Sequence, residues 1–168
     1  AKRERQAKSK AVPELKVIKP VDRDLKKYPL FITVHGNQEN MRIVNKYFNK
    51  VVDLGFLHAL VQSSQVEFHE AYSWPDIEQG AQEIRDHYKS IKDEYEIDTD
   101  KIIIGGFSAG SDVILKTIEK EYIKNGNKCV IDNTNLDLNT RNNYIKIAKK
   151  YKVKYSCILF RTPLEICM

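Results

Sequence analysis

The sequence predicts an α/β protein, a three-layer parallel sheet with helices on both faces. Three observations predict it. Short β-rich apolar runs alternate with longer stretches whose apolar residues recur at helical spacing. The short runs are apolar almost without interruption, as strands covered on both faces must be. Gly, Pro and Asn punctuate the changes from one pattern to the other.

Taken in order, "LKVIK" at 15–19 is a candidate edge strand. "YPLFITVHGN" (28–37) places a buried strand at about 29–35. In "NMRIVNKYFNKVVDLG" (40–55), Ile43, Val44, Tyr47, Phe48, Val51 and Leu54 share one helical face, and Gly55 stops the helix. "FLHALVQ" (56–62) is a second strand and 63–74 reads as loop, with Trp74 a packing anchor in it. Residues 75–95 open with Pro75 and Asp76 and carry the stripe Ile77, Ala81, Ile84, Tyr88, Ile91, Tyr95, a long helix. "KIIIGGF" (101–107) is a third strand and 109–126 a helix ending at Gly126. The alternation continues with a strand in 128–133 and a helix over 138–151, capped by Asn139 or Thr140. A fifth strand at 154–160 and a helix beginning at 162 complete it.

Composition narrows the class. The chain has 168 residues, enough for one domain with a real core. No apolar run approaches the ~20 residues that cross a bilayer. The charged N-terminus lacks an apolar signal core, which argues against export. Three cysteines (129, 157 and 167) have no metal-ligand spacing and are odd in number, so neither a disulfide framework nor a metal site is expected and a reducing cytoplasm fits. The net charge of +5 is divided: residues 1–28 carry 10 basic and 4 acidic groups, 29–119 carry 8 and 15, and 120–168 carry 10 and 4. An acidic block between two basic ones marks either a nucleic-acid surface or a change of origin.

Gly106-Phe107-Ser108-Ala109-Gly110 is G-x-S-x-G between a predicted strand and a predicted helix. Chemistry needs that context. A tight strand-to-helix turn lifts a hydroxyl above the sheet edge and leaves backbone N–H groups beside it for an oxyanion. The alternative is a glycine-rich turn with an inert serine. His35-Gly36-Asn37, closing the 29–35 strand, supplies a second loop at the same edge, with Asn37 or Gln38 as one backbone donor and Ala109 as the other. His35 itself reads as a structural loop histidine.

On "YPLFITVHGN", "GFLHALVQSSQ", "WPDIEQGAQEI" and "YEIDTDKIIIGGFSAGS", residues 28–118 resemble the first half of an α/β-hydrolase of the esterase/phospholipase kind. The resemblance implies a Ser108 nucleophile, an acidic residue, and a histidine supplied later in the chain. Here all four histidines (35, 58, 69 and 87) precede Ser108. Without a base a serine hydroxyl is a poor nucleophile. Asp132, after the next strand, is placed either as the acid or as a loop cap. His69 is either a displaced base or an exposed loop histidine.

Residues 125–168 have a different resemblance. Ile131-Asp132-Asn133-Thr134-Asn135, Arg141, Tyr144 and "FRTPLE" look like an internal stretch of the polynucleotide 5′-kinase module of polynucleotide kinase/phosphatase proteins. That family implies a P-loop, yet no G-x-x-x-x-G-K-[ST] occurs, and the lid arginines expected beyond this stretch are missing too. Kinase activity is not expected. Two partial families meeting at about 116–125 suggest a chimera, engineered or computed.

The expected organisation is thus a single domain over 1–168: a basic arm (1–28), a hydrolase-like half (29–118) and a polynucleotide-kinase-like half (119–168). The five core strands take the 2-1-3-4-5 order of flavodoxin-like sheets, with right-handed crossovers. His35–Gln38 and Ser108–Ser111 then share the switch-point crevice, where other open sheets hold flavins or phosphates; here that is analogy alone. The leading reading is a serine-hydrolase-like scaffold for a small ester, with weak or absent activity and no cofactor. The alternatives are a chimera with no evolved activity, and nucleotide or nucleic-acid binding through Arg141, Lys146, Lys149, Lys150, Lys152 and Lys154. Those lysines read first as a solvated helix face.

Overall fold

The computed structural model describes residues 9–21, 25–121 and 138–157. The chain begins with β1 (Ser9–Lys10) and β2 (Glu14–Ile18), followed by β3 (Tyr28–Val34). Helix α1 (Met41–Phe48) is started by Asn40, whose side chain accepts from the N–H groups of Arg42 and Ile43. It tightens into a 3-10 turn over Asn49–Leu54, and Gly55, at φ 90°, ends it as expected. The tightening changes the period from 3.6 to 3.0. The predicted apolar face does not stay buried as one stripe: within α1 Val44 is buried and Tyr47 is 70% exposed, and Leu54, in the tightened turn, is 70% exposed as well.

β4 (Leu57–Gln62) is buried at every position. The expected 63–74 loop is instead a hairpin, β5 (Gln65–Phe68) and β6 (Ala71–Tyr72), which pairs with β1 in a small antiparallel sheet. Polar residues in that stretch hid it from periodicity. Helix α2 (Ile77–Glu94) is capped by Asp76, whose carboxylate accepts Gln79 N–H at 3.0 Å. β7 (Ile97–Gly106) leads into α3 (Ala109–Glu121), and α4 (Leu138–Lys150) follows. Asn139 and Thr140 lie inside α4 rather than capping it, because the helix already begins at Leu138.

The main sheet has the order β2-β4-β3-β7. β3 is parallel to both β4 and β7, and β2 is an antiparallel edge, at the position the 15–19 stretch suggested. The expected strands at 56–62, 29–35 and 101–107 thus stand in the predicted 2-1-3 order. Among the described residues the main sheet has four strands, not five. The 128–133 strand lies outside the described residues, as do the helix from 162 and Asp132. Residues 154–157 are irregular and exposed, burying nothing that would hold them extended, and 158–160 lie outside the described residues.

Strand alternation assigns the two faces. Leu30, Ile32, Val34, Leu57, Ala59, Val61 and Ile104 join Ala81, Ile84 and Ile91 of α2 and Val113, Ile114 and Ile118 of α3 in one core. Phe31, pointing the other way, meets Phe48 of α1 at 5.6 Å between ring centroids. Helices cover both faces, and the fold is α/β. Register aligns Val34 with both Val61 and Gly106, so the three parallel strands end together, and the segments after β3 and β7 emerge at one edge.

Candidate functional site

Ser108 is the turn between β7 and α3. Its φ is 51°, in the left-handed region that an L side chain adopts only when its surroundings enforce it. The flanking glycines show the enforcement. A Cβ on Gly106 would stand 2.5 Å from Ile114 Cδ1 and 2.8 Å from the Gly110 carbonyl carbon. One on Gly110 would stand 2.5 Å from His35 O and 3.0 Å from Val34 O. The helix start is thus pressed against the end of β3, and Phe107 N–H donates to Val34 O at 3.2 Å. Ser111, buried, donates its hydroxyl to Gly106 O at 2.7 Å and closes the turn from within. Ser108 and Phe107 are exposed above it.

Two N–H groups of the turn are already used: Gly110 N–H donates to Phe107 O at 2.9 Å and Ser111 N–H to Ser108 O at 3.0 Å. Ala109 N–H has no partner among the described residues. Across the crevice, Gly36 N–H donates to Glu39 Oε2 at 2.9 Å, and Gln38 N–H is turned to Ser73 Oγ at 3.3 Å. Of the two predicted candidates for the second donor, Asn37 N–H is the one left without a partner among the described residues. Its side-chain oxygen accepts Trp74 N–H at 3.2 Å.

His35 is fully buried and structural. Gln62 Oε1 accepts Met41 N–H, so the Gln62 amide NH2 faces His35 Nε2, at 3.0 Å. Ser63 N–H donates to the same nitrogen at 3.1 Å. Nε2 is therefore the acceptor, and Nδ1–H donates to Gly36 O at 2.6 Å. Burial pulls its pKa down to about 4, against a smaller opposing effect of the Gly36 carbonyl. The ring stacks on Trp74, 4.8 Å between centroids, and Trp74 Nε1–H donates to His35 O at 2.8 Å. Trp74 is the anchor the sequence suggested.

The other histidines do not reach Ser108 by any hydrogen bond among the described residues. His58 is buried on β4 against Thr33 Oγ1 at 2.9 Å, with its pKa likewise lowered to about 4 by desolvation. Burial lowers that of His87 as well, on α2. His69 is exposed in the β5–β6 turn. Sequence reasoning missed Glu67, Glu39 and Ser73, whose partners lie 29 to 35 residues away or across a tight turn. No local pattern signals such contacts. No group of three or more potential metal ligands occurs among the described residues.

Residues 106–168, less than half of the chain, match a family model described as an AAA domain. No curated protein matches. Among solved structures, the chain is similar to an uncharacterised protein from Bacillus cereus ATCC 10987, with 28% identity and a TM-score of 0.62 over 80% of this chain and 53% of that one. It is similar to Est1E from Butyrivibrio proteoclasticus, solved with ferulic acid bound, at 16% identity and TM-score 0.53 over 65% of this chain and 44% of that one. The native sOPH structure is similar at 12% identity and TM-score 0.52, over 64% and 43%. The chain spans about half the length of these solved proteins. Such neighbours include α/β hydrolases of the esterase type, and at this identity they show the fold.

The family match begins at Gly106, the last residue of β7, and takes in the turn and α3. Gly105 and Gly110 have P-loop spacing, but Ser111 stands where a P-loop has Lys and Asp112 where it has Ser or Thr. The Gly110 and Ser111 N–H groups, which a phosphate would need, are closed into the turn.

Proposed function

We propose that the chain is a serine-hydrolase-like scaffold whose acyl-transfer site centres on Ser108, with Ala109 and Asn37 N–H groups facing a developing oxyanion and a small ester as substrate. The carrying observation is Ser108 at φ 51° between two glycines that have no room for a Cβ. Glu70 and Lys152 also have positive φ, but among the described residues only at Ser108 do close-packed glycines on both sides hold such a residue in a G-x-S-x-G turn between strand and helix. No histidine follows Ser108, and His35 is consumed by its own hydrogen bonds. Among the described residues no histidine bonds to Ser108, so these 168 residues by themselves are expected to turn an ester over weakly or not at all. Oxyanion donors and binding alone sustain a residual rate, roughly 10³-fold over water in hydrolases stripped of their triad.

The test is a fluorophosphonate probe, with labelling located by mass spectrometry and Ser108→Ala as control. Slow labelling at Ser108, lost in the variant, is expected. No labelling of a cooperatively folded protein overturns the reading and leaves a chimera with no evolved activity.

Two observations favour a second reading. The AAA-domain match over 106–168 and the Asp132-Asn133-Thr134-Asn135 stretch speak for nucleotide binding in the C-terminal half. Calorimetric titration with ATP and Mg²⁺ tests it: a saturable heat supports this reading, and no heat, the outcome that the missing P-loop Lys favours, removes it.

A further inference from the structure

We propose that Glu67 and Ser73 form a clamp that positions the oxyanion loop, with Gln38 as its handle; the inference rests on the Ser108 site proposed above. Gln38 has φ 62°, a conformation in which glycine is at ease and an L side chain is not. What glutamine adds over glycine there is reach. Its Nε2 donates to Glu67 Oε1 at 3.0 Å, while its backbone N–H donates to Ser73 Oγ at 3.3 Å. Ser73 in turn donates its hydroxyl to Glu67 Oε2.

Proton order makes this arrangement directional. An ionised carboxylate only accepts, so the Ser73 hydroxyl must give it its proton and is left with lone pairs for Gln38 N–H. Both Glu67 oxygens are engaged, and Ser73 is buried. Tyr72 N–H to Glu39 O at 3.0 Å and Trp74 N–H to Asn37 Oδ1 at 3.2 Å flank the clamp on either side. The 36–39 loop is thus tied to the hairpin through three successive residues, 72 to 74. The consequence is a selection between donors. With Gln38 N–H turned to Ser73, Asn37 N–H is the group left for an oxyanion opposite Ala109.

Gln38→Gly removes the handle and the backbone strain together. The expected result has three parts. The thermal midpoint holds or rises. Amide hydrogen exchange at position 38, whose N–H donates to Ser73 Oγ, accelerates about tenfold. The maximal rate of fluorophosphonate labelling falls about tenfold while the half-saturating probe concentration holds. Glu67→Ala produces the same acceleration of exchange, because it removes the acceptors of both the Ser73 hydroxyl and Gln38 Nε2. A merely structural contact would lower the midpoint and leave the labelling rate alone, and that result overturns the clamp. Unchanged exchange in both variants overturns it too. If the unaltered protein shows no labelling at Ser108, the hydrolase reading falls, and exchange at position 38 alone then decides the clamp.

Discussion

Single residues carry the site through what they lack as much as through what they present. Gly110 and Gly105 lie five positions apart in one turn unit, and their surroundings differ sharply. A Cβ at 110 would meet backbone oxygens of His35 and Val34, which cannot move without moving β3. A Cβ at 105 would meet only the far end of the Phe31 ring, at 3.4 Å. Gly110→Ala should therefore cost about 1–3 kcal/mol, whereas Gly105→Ala should cost less than ~1 kcal/mol. Urea unfolding of the pair checks this, with equal costs counting against the elbow packing. Ser111 shows the same logic in a polar group: its hydroxyl is spent inside the turn on Gly106 O, while Ser108, three residues earlier, is exposed.

At the scale of elements, the site depends on how α2 is fastened to the end of β4. Glu83, buried on α2, accepts Ser64 N–H at 3.2 Å, the Ser64 hydroxyl, and Gln79 Nε2 at 2.9 Å. Asp76 N–H donates to Gln65 Oε1 at 2.8 Å, and Gln65 Nε2 to Asp76 O at 2.9 Å, one turn earlier. These bonds fix the start of the hairpin that carries Glu67 and Ser73. Glu83→Ala leaves a buried N–H and a hydroxyl without their acceptor and should cost about 2–3 kcal/mol. Glu83→Gln retains one acceptor oxygen and should cost about half as much. Chemical denaturation compares them, and equal losses would mean that packing rather than hydrogen bonding holds α2. Gly80 belongs to the same fastening, since a Cβ there would stand 2.6 Å from the Trp74 ring.

For the whole molecule, buried histidines tie stability to pH. His35 and His58 are held neutral, each with its pKa lowered from 6.5 to about 4 by desolvation. The unfolded chain binds protons at both from about pH 6.5 downward, and the folded chain does not until about pH 4. Stability is therefore complete above about pH 6.5 and is lost as the pH falls through that window. The loss from His35 is about 3 kcal/mol by pH 4, because lowering a pKa by one costs the charged form about 1.4 kcal/mol. Thermal midpoints measured from pH 7.5 to 4 should fall steadily below 6.5. His35→Asn should begin lower and fall less steeply; parallel curves would remove His35 as a cause. Among the described residues no helix is long and apolar enough to cross a membrane. Lys146, Lys149, Lys150, Lys152 and Lys154 are exposed.

What the sequence determined by itself is the set of local decisions. Continuous apolar runs named the three parallel strands, Asp76 and Gly55 marked helix ends, and the small residues around Ser108 announced a tight turn, because each of these is settled within a few residues of the chain. Even the 2-1-3 strand order, expected by analogy with flavodoxin-like sheets, is the one observed. The tertiary structure alone decided what depends on distant partners. The hairpin at 65–72 pairs with β1 and with Glu39, far away in sequence, and its polar residues carry no strand period. Which N–H of the 36–39 loop is free was settled by Ser73, 35 residues on. His35 was left without a role as base because Gln62 and Ser63, on the next strand and just beyond it, take its one lone pair. A sequence specifies the conformations each segment prefers; only the packed molecule fixes which donor meets which acceptor, since that requires every segment to be in place at once.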